Sequence, residues 1–520
     1  MTISLRGAFL AAAFGALAVL PGGPLAAQQM LRVNIPMDPP HMNPILYQEN
    51  VSFRVLSDIY EGFTSSTPEG GNMPALALSW TPLDGGRHGF SFKLRPGVTF
   101  HTGRPFGAKD VKATFEMMLD PKWKAGNNVQ FLQNVVGAAE VKAGTRTDLP
   151  GVRVIDDLTV EVEFTRPSVI FPSIPIQFLD AAFVAEHGPD WMSKGSAGTG
   201  PFKATGWTRG VRVETEAHAG YWGGAPKLKG IRFLVIPNAD TVFNQYDAGE
   251  LDVADLQESM FDRVMRDPRY KAEMVEGTRA ALWWMGLNQN LYAPFKDKRV
   301  REAVSLAINR NGIVSGMFRG AAFTMDGFVP PGIGGYKPNL PKLEYNPTRA
   351  KQLLAEAGYP DGKGLPPLTI TGWPDIKDLL TYYAAQMKSV LGMPVTPDIV
   401  ERVTWIKSVN AGEVAFFPSR WTGSYNDPSV FLDEIWHSKS PVNRARWSNA
   451  EYDALIEQAR ATSDHAARLA LFERAEKILV ADWGGFSLPV PVTAGLKKPN
   501  VKNVTTHPVG FLNVRAAEIN

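Results

Sequence analysis

Apolar and polar residues alternate over 31–36 (LRVNIP), the period of two that predicts a half-buried first strand. Val51, Val55, Ile59 and Phe63 then recur at helical spacing and predict a helix over 51–63. Between Phe90 and Leu119 the pattern changes repeatedly. Phe90, Phe92 and Leu94 alternate with polar neighbours as a strand, Pro96-Gly97 turns the chain, and Val98 and Phe100 alternate as a second short strand. From Gly107 onward Ala108, Val111, Phe115, Met118 and Leu119 form one helical stripe. Further strands are expected at 152–164 (a pair turning at Asp156-Asp157), 202–207, 281–288, 367–371, 393–400, 414–417, 486–493 and 501–504.

Several helix boundaries follow from local chemistry. Asp297 is a good N-cap for a helix whose buried face is Val300, Ala303, Val304, Ala307 and Ile308. Asn346 caps a helix with Pro347 at its first position, Ala350, Leu353 and Leu354 inward, and Gly358 to stop it. Ser448 and Glu451 read as a capping box. A helix over 377–391 lies between two expected strands, a βαβ rhythm that argues for a largely parallel α/β unit in the second half of the chain.

With 520 residues and 44% hydrophobic content, the chain predicts a large globular protein of several domain-sized units. Residues 1–27 carry one cation (Arg6), an apolar run from Ala8 to Leu20 and a small residue at Ala27, the layout of a secretory signal peptide. That run is shorter than the roughly 20 residues needed to span a bilayer. The formal charge of +2, without a basic run, gives no footprint for nucleic acid. The absence of cysteine excludes disulfides, thiol nucleophiles, zinc–thiolate sites and a lipidated N-terminal cysteine.

Catalytic motifs are missing. There is no Gly-x-Ser-x-Gly elbow, no His-Glu-x-x-His and no Walker lysine after the glycines of Gly198-Thr199-Gly200. The eight histidines show no metal-ligand spacing, so neither a metal nor a cofactor is expected. A secreted hydrolase using two carboxylates is the alternative from another class, and nothing in the sequence supports it positively. The segment Arg420-Trp421-Thr422-Gly423-Ser424-Tyr425-Asn426-Asp427-Pro428, read as a loop after the 414–417 strand, combines aromatic surface with hydrogen-bonding groups. A binding cleft needs that mixture, and a turn built around a packed tryptophan is the other reading.

The stretches LRPGVTFHTGRPFGAKDV, PFKDKRVREAVSLAINR and NPTRAKQLLAEAGYPDG resemble the signatures of the solute-binding proteins of ABC importers, in the family that binds peptides, nickel chelates and related solutes. The resemblance implies an α/β, two-lobed periplasmic binding protein fold (type II, cluster C). Its expected division is lobe I from 28–50, 179–280 and 486–520, an extra subdomain of that lobe from 51–178, and lobe II from 281–485. It also implies a monomeric, unlipidated periplasmic protein that delivers a small polar solute or short peptide to an inner-membrane ABC permease and performs no chemistry. An oligosaccharide, an opine-like acid or a metal chelate is the alternative ligand.

The same resemblance places the ligand-contacting Trp-x-x-Asp loop at Trp421, with Gly423, Ser424, Tyr425, Asn426 and Asp427 beside it. Arg402 falls about where relatives have an aromatic wall residue. Trp405 and Trp283 complete the candidate set; of Trp283 and Trp284, strand alternation allows only one to face the cleft. One departure stands out. Where peptide-binding relatives have an aspartate that neutralises the peptide ammonium, this chain has Ser424. A free amine then needs another carboxylate, with Asp427 or Glu401 nearby in sequence, or the ligand is not a standard zwitterionic peptide.

Overall fold

The computed structural model describes residues 29–520 except 48, 67–71 and 84–86; the signal-peptide segment lies outside the described residues. Three main sheets organise the chain. The first has seven strands in the order Met274–Gly277, Thr493–Lys497, Val253–Asp255, Met30–Ile35, Gly230–Val235, Arg212–Ala217 and Phe202–Thr208. Its centre is parallel and its flanks antiparallel. A four-stranded antiparallel sheet (Ala77–Pro82, His88–Leu94, Thr159–Phe164, Val152–Asp156) carries the subdomain. The subdomain shares one continuous hydrophobic core with the seven-stranded sheet. Phe63 stacks on Phe92 at 3.9 Å in that core and meets Phe178 edge-on at 4.7 Å. Burying each such ring contributes about 1.5–3 kcal/mol.

The other lobe has its own core around a five-stranded sheet ordered Val395–Ile399, Leu368–Gly372, Phe416–Thr422, Ala281–Leu287 and Gly485–Ser487. All seven residues of Ala281–Leu287 are buried, as expected for a central strand covered on both faces. Helix Lys377–Leu391 supplies the crossover between two parallel strands. Helix Pro347–Glu356 forms as its sequence dictates, with Asn346 Oδ1 accepting from Arg349 N at 3.0 Å. Among the described residues the chain passes between lobes twice, after Gly277 and again before Thr493.

Several expected elements end elsewhere. The first helix spans Asn50–Ile59 and stops because Tyr60 is extended, which releases Phe63 into the aromatic cluster. Val98 and Phe100 lie in a tight turn whose single bridge, Thr99 to Pro105, is made by Phe100 N donating to Arg104 O and Phe106 N donating to Val98 O. Gly103 N closes the turn on Phe100 O before a longer ladder can form. The cap at 448 moves one residue, to Asn449, which accepts from Tyr452 N. Phe486 does not return to the first lobe. Gly485–Ser487 pairs with Ala281–Leu287, Val490–Pro491 pairs with Ala322–Phe323, and the return comes at Thr493. Gly198-Thr199-Gly200 is a turn packed on backbone: Gly200 N donates to Ile59 O (2.9 Å), and a Cβ on Gly198 would lie 2.0 Å from that same oxygen.

Candidate functional site

Strand Phe416–Thr422 runs well past the end expected at Phe417, so Arg420 and Trp421 lie on a strand, not in a loop. Its antiparallel register sets Arg420 opposite Trp283 and Thr422 opposite Ala281. Opposed side chains share a face, and the Arg420 guanidinium accordingly lies 3.7 Å from the Trp283 ring centre. Trp284 points the other way, against Trp436.

Past Thr422 the chain turns sharply, and internal bonds fix the loop. Gly423 N donates to Ala280 O at 2.7 Å. Tyr425 is buried and donates its hydroxyl to Glu434 at 2.7 Å. Burial raises the Glu434 carboxyl to about 7, against hydrogen bonds from Tyr425 and Trp421 that favour its charged form. Asn426 Oδ1 accepts from Gly334 N at 2.9 Å. Asp427 caps Ser429 N (2.9 Å) and holds Arg468 in a two-pronged buried ion pair, one prong at 2.8 Å. The effect of these anchors is to leave Ser424 exposed on a rigid turn.

Ser424 faces a pocket of about 190 Å³ between the lobes, with Thr422, Gly423 and Asn426 on one side and Glu49, Asn50 and Phe53 on the other. Phe131 of the subdomain reaches it too, edge-on to Tyr425 at 5.9 Å. His507, stacked on Phe511 at 4.5 Å, forms part of the wall; burial pushes its imidazole down to about 4, so it is neutral near pH 7. Thr422 is shared with a second pocket of about 370 Å³, lined by Glu258, Arg279, Trp283, Arg402, Arg420 and Trp421. The two form one cleft with a polar–aromatic end and an arginine-rich end.

Two expected site residues are placed differently. Trp405 is buried against Trp373 (4.6 Å), its Nε1 donating to Thr371 O, and serves the lobe core. Asp427 is committed to Arg468 and Ser429, which removes it as a partner for a ligand amine. Glu401 is exposed at the start of helix Arg402–Ala411 and lines neither pocket. Glu49, Glu258 and Arg279 were missed by the sequence reading. Arg279 stands two residues before a readable strand, but no local pattern marks Glu49 or Glu258. Among the described residues no three His, Asp or Glu side chains gather as a metal site, and no helix is long and apolar enough to cross a membrane.

Two α/β lobes, a paired crossing between them and a cleft of fixed polar groups and flat aromatic walls define a solute-binding protein. The chain belongs to the bacterial extracellular solute-binding proteins, family 5, whose middle-region model matches residues 72–443. The dipeptide-binding protein DppE of Bacillus subtilis (strain 168) is 27% identical over 512 residues, covering 95% of this chain and 93% of the relative. The unliganded open form of the periplasmic murein tripeptide-binding protein MppA superposes with a TM-score of 0.83 at 24% identity, covering 95% and 98% of the two chains. The ABC transporter substrate-binding protein CtaP of Listeria monocytogenes has a TM-score of 0.80 at 18% identity, covering 95% and 99%.

Proposed function

We propose that this protein captures a short peptide or peptide-like solute in the interlobe cleft, in the periplasm, and delivers it to an inner-membrane ABC permease without chemical change. The observation that carries the reading is the loop after Thr422: a rigid turn that sets Ser424 toward Glu49 and Phe53 of the opposite lobe. Relatives of this architecture are named for dipeptide and murein tripeptide binding, which favours a peptide-class ligand.

The missing aspartate has a consequence here. Leaving a buried ammonium unpaired costs several kcal/mol. Glu49 is the carboxylate among the described residues lining the Ser424 pocket, and it takes the amine-neutralising role that Asp427 cannot. Cleavage of residues 1–27, absence of a lipid anchor and a monomeric state belong to the same proposal.

Calorimetry with alanine di- and tripeptides and their N-acetylated forms tests it. Free peptides should bind, acetylated ones about tenfold or more weakly, and Glu49→Gln should erase that difference. Mass spectrometry of solutes released on denaturation provides the independent check. A protein that binds no peptide and releases only sugars or metal chelates refutes the peptide reading, and turnover of a bound peptide refutes the transport reading.

A further inference from the structure

Beside the Ser424 pocket, between helix Asn50–Ile59 and residues 173–177 of the subdomain, lies a recess of about 80 Å³. Phe53, Pro175 and His507 line both cavities and so stand between them. The recess has room for the end of one side chain, or about two or three waters at roughly 30 Å³ each. Its charge is unbalanced. Asp58 and Glu61 face it together with Arg515, and Arg54 beside Asp58 (3.4 Å) is shared with Asp255 (3.5 Å), so two guanidiniums meet three carboxylates.

The three carboxylates are unequally satisfied. Glu61 accepts from Thr199, Tyr221 and Trp222 at 3.0, 2.8 and 2.8 Å, and from Arg515. Asp255 takes Leu512 N at 2.8 Å in addition to Arg54. Asp58, 2% exposed, has among the described residues only the long 3.4 Å bond from Arg54. Burial accordingly raises its carboxyl, against the pull of Arg54 and Arg515. Gln177, 5% exposed, lines the same recess with its Oε1 unpartnered, a buried acceptor that lacks a donor.

We propose that this recess takes a second ammonium of the bound solute, so that the protein selects short peptides with a lysine-like side chain on the residue that carries the free amine. The inference rests on the reading of the neighbouring pocket as the solute site, and adds the class of side chain it prefers. An ammonium brings three N–H donors and no acceptor. The recess offers Asp58, Gln177 Oε1 and the Thr64 hydroxyl, which donates to Pro172 O at 2.7 Å and so presents its lone pairs. Arg515 is committed to Ser57 O (3.0 Å), Tyr221 (2.6 Å) and Glu61, and His507 at the threshold is neutral. Phe53 and Ser57 stand about one helical turn apart, roughly 6 Å, and the five bonds of an extended lysine side chain span about the same. The incoming charge balances the five buried groups, whereas a neutral chain of equal length would strip water from Asp58 and Gln177 and give them no partner.

The test compares Lys-Ala-Ala with 2-aminoheptanoyl-Ala-Ala, in which a methyl group replaces the side-chain ammonium, by calorimetry at pH 7 and fixed ionic strength. The lysine peptide should bind at least about tenfold tighter. Gln177→Leu replaces an unpartnered buried amide by an apolar group of similar size, so its melting temperature should not fall below wild type while the preference drops below about threefold. Asp58→Asn should reduce the preference in the same way. Equal affinities for the two peptides, or a preference that either substitution leaves intact, overturns the recess and leaves peptide capture standing. If no peptide binds, the peptide reading falls, and 1,5-diaminopentane against hexylamine decides the recess: a thermal shift from the diamine alone that is lost in Gln177→Leu upholds it, and any other result overturns it.

Discussion

Arg468→Met should destabilise the second lobe far more than a typical surface charge deletion. The Arg468 and Asp427 side chains are 5% and 7% exposed, so removing the cation strands a carboxylate that water cannot reach. Breaking one partner of such a pair costs about 3–5 kcal/mol, and for a lobe of this size each kcal/mol moves the melting temperature by roughly 2–4 °C. The transition should fall by roughly 6 °C or more. Asp427 also caps Ser429 N, so the loop that presents Ser424 should loosen and ligand affinity should drop with stability. The control is Asp427→Leu combined with Arg468→Met, which removes both charges and should recover much of the loss. Calorimetric melting and urea titration of wild type, both single variants and the double variant complete a mutant cycle. A loss below about 1 kcal/mol for Arg468→Met, the range of exposed pairs, would refute the reasoning, as would a double variant no better than the worse single one.

Three further outcomes follow from the same structure. Ser424→Asp should place a second carboxylate beside Glu49 and tighten free-amine peptides over N-acetylated ones by about tenfold, measured by calorimetry; equal affinities would show that this position does not choose the ligand. Glu434, raised to about 7 in the folded protein, holds its proton where the unfolded chain has lost it, so it contributes stability fully at low pH that declines as pH rises from about 4.5 to about 7. The melting temperature of Glu434→Gln relative to wild type should accordingly increase across that window, and parallel profiles would contradict it. Gly198→Ala, whose Cβ would lie 2.0 Å from Ile59 O, should lose about 3 kcal/mol or more, read by urea titration.

What the sequence made legible was whatever local chemistry decides. The cap at Asn346, the seven-residue buried strand at Ala281 and the crossover helix Lys377–Leu391 sit where periodicity and capping put them. Features set by contacts distant in sequence were not legible. Asp427 in a polar loop looks like a ligand group until Arg468, 41 residues on, is seen to hold it. Trp405 looks like a cleft wall until Trp373 covers it. Phe486 is apolar enough for either sheet, and only its pairing with Met285 decides. The arginine end of the cleft needs four segments brought together by the fold, with Glu258 and Arg279 on one lobe and Arg402 and Arg420 on the other.

The second lobe is one uninterrupted stretch whose entry and exit lie side by side: Leu488 N donates to Trp283 O at 2.7 Å, and Ser487 pairs with Trp284. Such a stretch is a cassette. It could be cut out, joined end to end or replaced by the equivalent stretch of a relative without breaking the seven-stranded sheet, and Arg402, Arg420 and the Ser424 turn would travel with it while Glu49, Glu258 and Arg279 stayed behind. Exchange of this kind would change half of the cleft at a single recombination and leave the other half to select which newcomers work.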